Sequence, residues 1–292
     1  MITVEKSIAP WISIADESLS IENNYDLYVI VSNDVVQLAL SDNDRNKFVA
    51  LNDYNISGIK PEHIAARIES ILESDELAVK YKSTLRRAAV SFAGNNCTIV
   101  PSAFYEENKK EQLLAFNMEA NPNEMVMADR LRQLDAMLIY SVNKELAAAL
   151  SNLFPAKTFH HAANGLLEAT LLQHKNEEEK VVTINVSHTG FDLVITEGKK
   201  LHYYNYFSYQ STEDFIYYIL FACEQLQLNP ETTPFYFSGM IEKNSALYLL
   251  AQKYMRHLRF IQRPDFCDYS YKFKDIQQHY HVLLYNQFLC AL

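Results

Sequence analysis

Glycine is scarce in this chain, which has 6 glycines among 292 residues. Loops that cradle phosphate groups depend on glycine, because their backbone N–H groups must come close to the phosphate, often at positive φ. The glycines here are also scattered, at Gly58, Gly94, Gly165, Gly190, Gly198 and Gly239. The sequence therefore argues against a nucleotide-hydrolysing protein built on several glycine-rich phosphate loops.

Cysteine pairs, basic clusters and long apolar runs are missing as well. The 4 cysteines form no Cys-x-x-Cys motif, which argues against a disulfide framework and against a cysteine metal site. The formal net charge is −10, and no Lys/Arg cluster provides the basic face that nucleic-acid binding requires. No stretch approaches the roughly 20 apolar residues of a membrane-spanning helix, and no signal-peptide pattern is recognised. We therefore expect a cytoplasmic protein that neither binds nucleic acid nor spans a membrane.

The first half of the chain is patterned as short strands followed by helices. Short apolar runs separated by Asn/Asp turns predict an antiparallel meander, after an irregular segment over residues 1–24. Beyond the meander, apolar residues at helical spacing alternate with further short apolar runs. The expected strands lie at residues 25–31, 35–40, 48–51, 88–92, 98–100, 135–141 and 157–161, and helices are expected after Pro61, Ser102, Asn143 and Gly165.

A similar order returns after the polar segment at residues 173–180. The expected strands there lie at residues 181–186, 191–196, 200–207, 234–238 and 258–261, and helices are expected after Ser211, after Asn244 and over residues 276–289. Ser211 and Asp214 have the Ser-x-x-Asp form of a capping box, and Asn244 is the expected cap of the helix that follows it. An internal repeat of this kind predicts two related domains. The expected limits are 1–175 for the first domain with its N-terminal extension, 176–270 for the second, and 271–292 for a C-terminal helix that packs across both.

The order of these elements resembles that of the actin-like ATPase superfamily, whose domains are duplicated ribonuclease-H-like folds. Residues 88–94, followed by a returning strand and a proline at residues 98–101, are similar to a segment of bacterial cell-division and type IV pilus-assembly proteins. The chain resembles in particular an uncharacterised Bacteroidetes family of unknown function with this fold. The segments Val100-Pro101-Ser102 and Phe237-Ser238-Gly239, the second at a strand end, contribute to that resemblance. The resemblance covers about residues 25–262. It implies an α/β protein with two ribonuclease-H-like domains facing each other across a cleft.

The resemblance also locates the first phosphate loop, between the first two strands, where the superfamily carries Asp-x-Gly-x-Ser/Thr. Ile30 stands at the aspartate position and Ser32 at the glycine position. Asp34 is shifted along the turn, beside Asn33. The missing aspartate would help to hold hydrated Mg²⁺, which prefers carboxylate oxygens, and isoleucine cannot replace it.

The second phosphate loop falls between the first two strands of the second half. Asn185 replaces the aspartate and Ser187 the glycine, although the hydroxyl survives as Thr189. Because phosphoryl transfer depends on positioning and charge neutralisation, the joint loss of these residues argues against ATP hydrolysis. The pilus-type proteins also carry two Gly-Gly pairs. The pair that opens the next helix matches Ser211-Thr212 here, and the pair on the adenosine side matches Ser238-Gly239.

The leading hypothesis is a non-catalytic actin-like module, without catalytic residue, metal or cofactor, that binds a protein partner or assembles with itself. The alternative is a divergent nucleotide-binding ATPase or kinase-like enzyme that uses the cleft, and ATP binding without hydrolysis stays open. The adjacent His160 and His161 would point to opposite faces of a strand, so they are not expected to share a metal ion. The candidate cleft residues are Asn33, Asp34, Asn185, Ser187, His188, Thr189, Gly190, Ser238 and Gly239.

Overall fold

The computed structural model describes residues 9–119, 121–154 and 156–290, and its two halves share one strand pattern. The first half consists of β1 (Ile12–Ala15), β2 (Tyr25–Val31), β3 (Val35–Asp42), β4 (Lys47–Asn55), α1 (Pro61–Ser74), α2 (Glu76–Lys80), β5 (Leu85–Phe92), β6 (Cys97–Pro101), α3 (Lys110–Ala115), β7 (Glu124–Leu131), β8 (Ala136–Asn143), α4 (Lys144–Leu153), β9 (Lys157–His161) and α5 (Ala162–Gln173). The remainder consists of β10 (Lys180–Val186), β11 (Gly190–Glu197), β12 (Lys200–Ser208), α6 (Thr212–Gln225), β13 (Pro234–Gly239), α7 (Ala246–Ala251), β14 (His257–Phe260), β15 (Asp268–Tyr269) and α8 (Val282–Cys290).

A mixed sheet with the strand order β1-β4-β3-β2-β5-β9 forms the centre of the first half. Strands β2, β3 and β4 are the predicted antiparallel meander, and β5 and β9 extend the sheet in parallel. Strand β2 is buried along its whole length because both faces of the sheet are covered. Leu27, Val29 and Val31 pack in the core with α1 and α4, whereas Tyr28 and Ile30 pack in the core beneath α8. Ile30, at the expected aspartate position, is thus a core residue that is 1 % exposed.

A smaller sheet, ordered β6-β8-β7, is inserted between β5 and β9. Strands β6 and β8 were predicted, whereas β7 lies in a region that was expected to be helical and polar. Most residues of β7 are partly or fully exposed, so the sequence contains no buried apolar run that would predict a strand there. Antiparallel pairing with β8, from Glu124 opposite Asn143 to Leu131 opposite Ala136, makes it a strand.

The second half repeats the arrangement of the first. Its strand order β12-β11-β10-β13-β14 follows the same sequence of antiparallel and parallel neighbours as β4-β3-β2-β5-β9. Helix α6 begins at the predicted capping box of Ser211 and Asp214. The cap of α7 is Ser245 rather than the predicted Asn244, because the Ser245 hydroxyl accepts a hydrogen bond from the backbone N–H of Tyr248.

Both ends of the described chain join the first sheet. Strand β1, in a segment expected to be irregular, pairs with β4. Residues 268–269, which the predicted limits assign to the second domain, form the unpredicted strand β15, which pairs with β4 at Lys47 and Phe48. The last helix begins at Val282 rather than near residue 276, since His281 takes a left-handed backbone conformation with φ 57°. Helix α8 contacts α5, β2, β3 and β13, which belong to both halves. The domain limits stay a prediction.

Candidate functional site

The two meander turns meet between the halves of the molecule. The first joins β2 to β3, and the second joins β10 to β11. They line a cavity of about 130 Å³ together with Gly239 and the residues around His281. The predicted cleft residues that line this cavity are Asn33, Asp34, Asn185, Ser187, Thr189 and Gly239, while His188, Gly190 and Ser238 adjoin them in the chain.

In the first turn, the Ser32 side chain pairs with backbone N–H groups of the same turn. Its hydroxyl accepts hydrogen bonds from the backbone N–H groups of Asp34, at 3.1 Å, and Val35, at 3.0 Å. The same hydroxyl donates to Oδ1 of Asp34. Serine hydroxyls commonly close a turn in this way. Ser32, which stands at the expected glycine position, therefore satisfies the hydrogen-bonding groups of its own turn.

Asp34 joins the first turn directly to the second. Its Oδ2 accepts hydrogen bonds from the backbone N–H of Thr189, at 3.1 Å, and from the Thr189 hydroxyl, at 3.0 Å. The carboxyl group belongs to a residue that is only 3 % exposed, so it depends on these partners. Hydrogen bonds to an ionised acceptor are among the stronger ones in proteins. We refer to this pair as the turn latch.

The second turn is also closed by its own residues. The Ser187 hydroxyl donates to the carbonyl oxygen of Gly190 at 2.9 Å and accepts from the Gly190 N–H at 3.2 Å. A Cβ atom on Gly190 would lie 2.1 Å from the hydroxyl oxygen of Tyr206, so the space that this glycine opens is filled by a tyrosine. His188 packs against Trp11, with 5.7 Å between the ring centroids, and does not line the cavity.

Asn185, at the second expected aspartate position, is held in a buried polar network. Its Nδ2 donates to Oδ2 of Asp192 at 3.1 Å, and its Oδ1 accepts from the Ser238 hydroxyl at 3.0 Å. The Tyr204 hydroxyl donates to the other Asp192 oxygen at 3.1 Å. Burial raises the pKa of Asp192 to about 6, although the hydrogen bonds from Asn185 and Tyr204 oppose the rise. Both ends of the Asn185 amide are therefore engaged within the second half.

Gly239 is required for a close crossing of the chain. Its φ is 82°, and a Cβ atom there would lie 2.1 Å from the carbonyl oxygen of Val186. That same carbonyl accepts a hydrogen bond from the backbone N–H of Met240 at 2.7 Å, and the Gly239 N–H donates to the carbonyl oxygen of His279. The remaining adenosine-side glycine thus ties the second sheet to the C-terminal segment.

A buried group that the sequence analysis missed lies beside the cavity. Nε2 of His281 is 2.7 Å from Oδ2 of Asp53, and the Gln37 amide donates to the same oxygen at 3.0 Å. Gln37 and His281 line the cavity. Asp53 and His281 are 228 positions apart, and the two residues share no motif. Only the placement of the C-terminal segment against β4 brings them together.

The paired histidines have a structural role. His161 is buried, and its Nδ1 accepts a hydrogen bond from the backbone N–H of Ala163 at the start of α5. Burial lowers the pKa of His161 to about 4. Nδ1 of His160 lies instead 3.4 Å from a carboxylate oxygen of Asp129. Within the described residues, no group of three or more His, Cys, Asp or Glu side chains is arranged to hold a metal ion.

Comparisons with known proteins agree on the fold. Among solved structures, the chain is similar to a Bacteroides thetaiotaomicron protein with an actin-like ATPase fold and unknown function, with a TM-score of 0.72 and 20 % identity over 82 % of this chain and 91 % of that chain. It is also similar to the PilM–PilN type IV pilus biogenesis complex, with a TM-score of 0.61 and 12 % identity over 90 % and 97 %. The ethanolamine utilization protein EutJ from Carboxydothermus hydrogenoformans gives a TM-score of 0.50 and 11 % identity over 93 % and 91 %.

These identities show the fold alone, and they confirm the expected actin-like architecture. No curated protein matches the sequence. No helix within the described ranges is long and apolar enough to cross a membrane. Residues 15–258 match the family described as "Protein of unknown function (DUF3822)". The chain therefore belongs to the DUF3822 family and has the actin-like ATPase fold.

Proposed function

We propose that this chain is a non-catalytic actin-like module that acts by binding a protein partner or a second copy of itself. The observation that carries the proposal is the turn latch between Asp34 and Thr189. In an ATPase of this fold the two turns would hold phosphates, whereas here they hold each other. A cytoplasmic location is part of the same proposal and is supported by four free cysteines.

The cavity between the turns is poorly suited to a magnesium nucleotide. Its volume of about 130 Å³ is well below the roughly 300–1,000 Å³ of common small-molecule sites. The described residues that line it include the carboxylates of Asp34 and Asp192 and no lysine or arginine. A triphosphate needs positive groups to neutralise its charge. Ile30 is packed in the core, and the Asn185 amide is already bonded, so neither supports Mg²⁺ binding.

A protein partner has an apolar surface available on the second half. Tyr217 and Phe221 on α6 are 60 % and 46 % exposed, and their rings stack with centroids 5.9 Å apart. Leu249 on α7 and Tyr254 just after it are 50 % and 47 % exposed, and the two helices contact each other. Aromatic residues are enriched at protein interfaces, so the exposed and stacked pair of Tyr217 and Phe221 suits such a role. We call these four residues the α6–α7 face. The similar PilM structure is itself a complex with PilN, which supports a role in protein assembly.

A titration with Mg-ATP tests the non-catalytic part of the proposal. A ligand of the folded state at 100 times its dissociation constant adds about 2.7 kcal/mol of stability, which is a rise of several degrees in Tm. We expect no rise at millimolar Mg-ATP and no phosphate release. A rise that disappears in Asn185→Ala would overturn the proposal and favour the alternative of a divergent nucleotide-binding enzyme.

The claim that the chain binds a partner or itself is tested by light scattering after size-exclusion chromatography and by affinity capture from the native cell extract. We expect a self-associated species or a stoichiometric partner with the wild-type chain, and its loss in the double variant Tyr217→Ser/Phe221→Ser. The matched control is Phe104→Ser/Phe116→Ser, which removes two aromatic rings that are 72 % and 84 % exposed elsewhere. A monomeric wild-type chain that captures nothing, or equal loss in both variants, would contradict the assignment.

A further inference from the structure

Strand β12 is a free edge of the sheet in the second half. Among the described strands it pairs with β11 alone, and β6, at the edge of the smaller sheet, pairs with β8 alone. Long free edges are usually protected by charged residues or proline, because their unpaired backbone groups attract other strands. Residues 201–208 of β12 include no proline and no Lys, Arg, Asp or Glu. The edge of β12 therefore lacks the usual protection against pairing with another chain.

A groove of about 490 Å³ lies between this edge and β6. Its lining includes the consecutive residues 201–206 of β12 and 97–99 of β6. Because successive side chains of a strand point to opposite faces, a cavity that is lined by consecutive residues runs along the strand edge. Sγ of Cys97 lies 3.8 Å from the Tyr204 hydroxyl, so the two strands are connected here by side chains and not by backbone pairing.

The backbone groups on the groove side of β12 are unpaired. The Tyr209 N–H donates to the carbonyl oxygen of Thr189, just before β11. Backbone groups alternate in direction along an antiparallel strand, so those of Tyr204 and Tyr206 point away from β11. No described residue forms a hydrogen bond with these N–H and C=O groups. Since both residues line the groove, it offers main-chain donors and acceptors to a ligand.

The groove walls carry no charge that would favour a charged ligand. The described lining includes no Lys, Arg, Asp or Glu, and it includes the amide side chains of Asn95, Asn117 and Asn205. A charged segment would lose hydration there without gaining an opposite charge. Amide groups, in contrast, both donate to and accept from a peptide main chain. The charge of the lining therefore matches an uncharged peptide segment.

We propose that β12 binds an extended, uncharged segment of a partner protein as an additional strand. The backbone groups of Tyr204 and Tyr206 pair with the segment, and β6 and Asn117 border it on the other side. This inference rests on the proposed role in protein binding and names the form of the partner. It uses a surface separate from the α6–α7 face, since no described residue of α6 or α7 lines the groove. Either surface can therefore fail without the other.

Selection from a random library of peptides of about 12 residues, long enough to form a strand, tests the site on the wild-type chain. Binding of each enriched peptide is then measured by fluorescence anisotropy. We expect the enriched peptides to share an uncharged stretch of about 5–6 residues. N-methylation of every second backbone amide in that stretch removes hydrogen bonds to β12, so one of the two alternate sets should weaken binding at least about 10-fold. The proposal is overturned if no peptide is enriched or if neither methylated set binds more weakly.

A matched pair of variants assigns the binding to this groove. Asn117 is exposed, and its amide donates to the Thr98 hydroxyl on β6 at 2.7 Å, so its side chain lies on the groove wall. Asn117→Trp should fill the groove and weaken peptide binding at least about 10-fold. Asn123→Trp, at an exposed asparagine outside the lining, should bind as the wild type does, and so should Tyr217→Ser/Phe221→Ser. Equal binding by the two tryptophan variants would overturn the proposal.

Amide hydrogen exchange of the wild type keeps the test decisive if Asn117→Trp does not fold. A bound strand should slow exchange at the backbone amides of Tyr204 and Tyr206, because these N–H groups then form hydrogen bonds. The amides of β14, at the opposite edge of the same sheet, should exchange as before. Unchanged exchange at both tyrosines in the presence of saturating peptide would contradict pairing with β12.

Discussion

The turn latch allows the sharpest test of how the two halves are held together. Thr189→Val keeps the shape of the side chain and removes only the hydroxyl that donates to Asp34 at 3.0 Å. A hydrogen bond to a charged group contributes about 1.5–3 kcal/mol, but Thr189 is exposed and water competes for its partner. We therefore expect a loss of about 1–2 kcal/mol in the free energy of unfolding. Asp34→Asn weakens the same bond from the other side, so the two changes should be coupled by about 1 kcal/mol.

Urea unfolding of the wild type, both single variants and the double variant measures this coupling. The matched control is Thr196→Val, because the Thr196 hydroxyl is buried in β11 without a hydrogen-bond partner among the described residues. Its replacement should leave stability unchanged or raise it, since no hydrogen bond is lost. Additive effects of Asp34→Asn and Thr189→Val, or a cost for Thr189→Val no larger than for Thr196→Val, would refute the latch.

Two further predictions concern the glycine crossing and the buried ionisable groups. Gly239→Ala should destabilise the chain by at least about 2 kcal/mol more than Gly58→Ala, because both have φ 82° but only the Cβ at Gly239 meets the Val186 carbonyl; equal costs in thermal unfolding would contradict this. The pKa of His161 is lowered from 6.5 to about 4, so its contribution to the free energy of unfolding is lost as pH falls through this range. His161→Gln should therefore reduce the fall in the free energy of unfolding over this range by up to about 3 kcal/mol. The pKa of Asp192 is raised from 3.8 to about 6, so its contribution to the free energy of unfolding grows as pH falls below about 6. Asp192→Asn removes this contribution and should make the free energy of unfolding fall more steeply towards acid pH. If neither variant changes the slope of the free energy of unfolding between about pH 4 and 7, these two pKa shifts are refuted.

Much of the architecture could be predicted because it is local. The two meanders follow from apolar runs and Asn/Asp turns, and the start of α6 follows from the capping box of Ser211 and Asp214. The resemblance also located Ile30 and Asn185 at the expected aspartate positions, because these positions are fixed by the order of neighbouring strands; the loss of ATP hydrolysis stays a prediction. Strand β7 was missed because a half-exposed strand has little pattern of its own and depends on pairing with β8.

The sequence by itself determined the repeated strand order, the actin-like resemblance and the absence of a glycine-rich phosphate loop, because each depends on neighbouring residues. The tertiary structure alone decided which residues the two turns contact. It brings Asp34 to Thr189 across 155 positions and His281 to Asp53 across 228. Such contacts cannot be predicted from neighbouring residues, because the sequence of a turn does not show which distant residue its polar side chains will contact. The roles of two of the few glycines are also visible only in the tertiary structure, where Gly190 makes room for the Tyr206 side chain and Gly239 for the Val186 backbone.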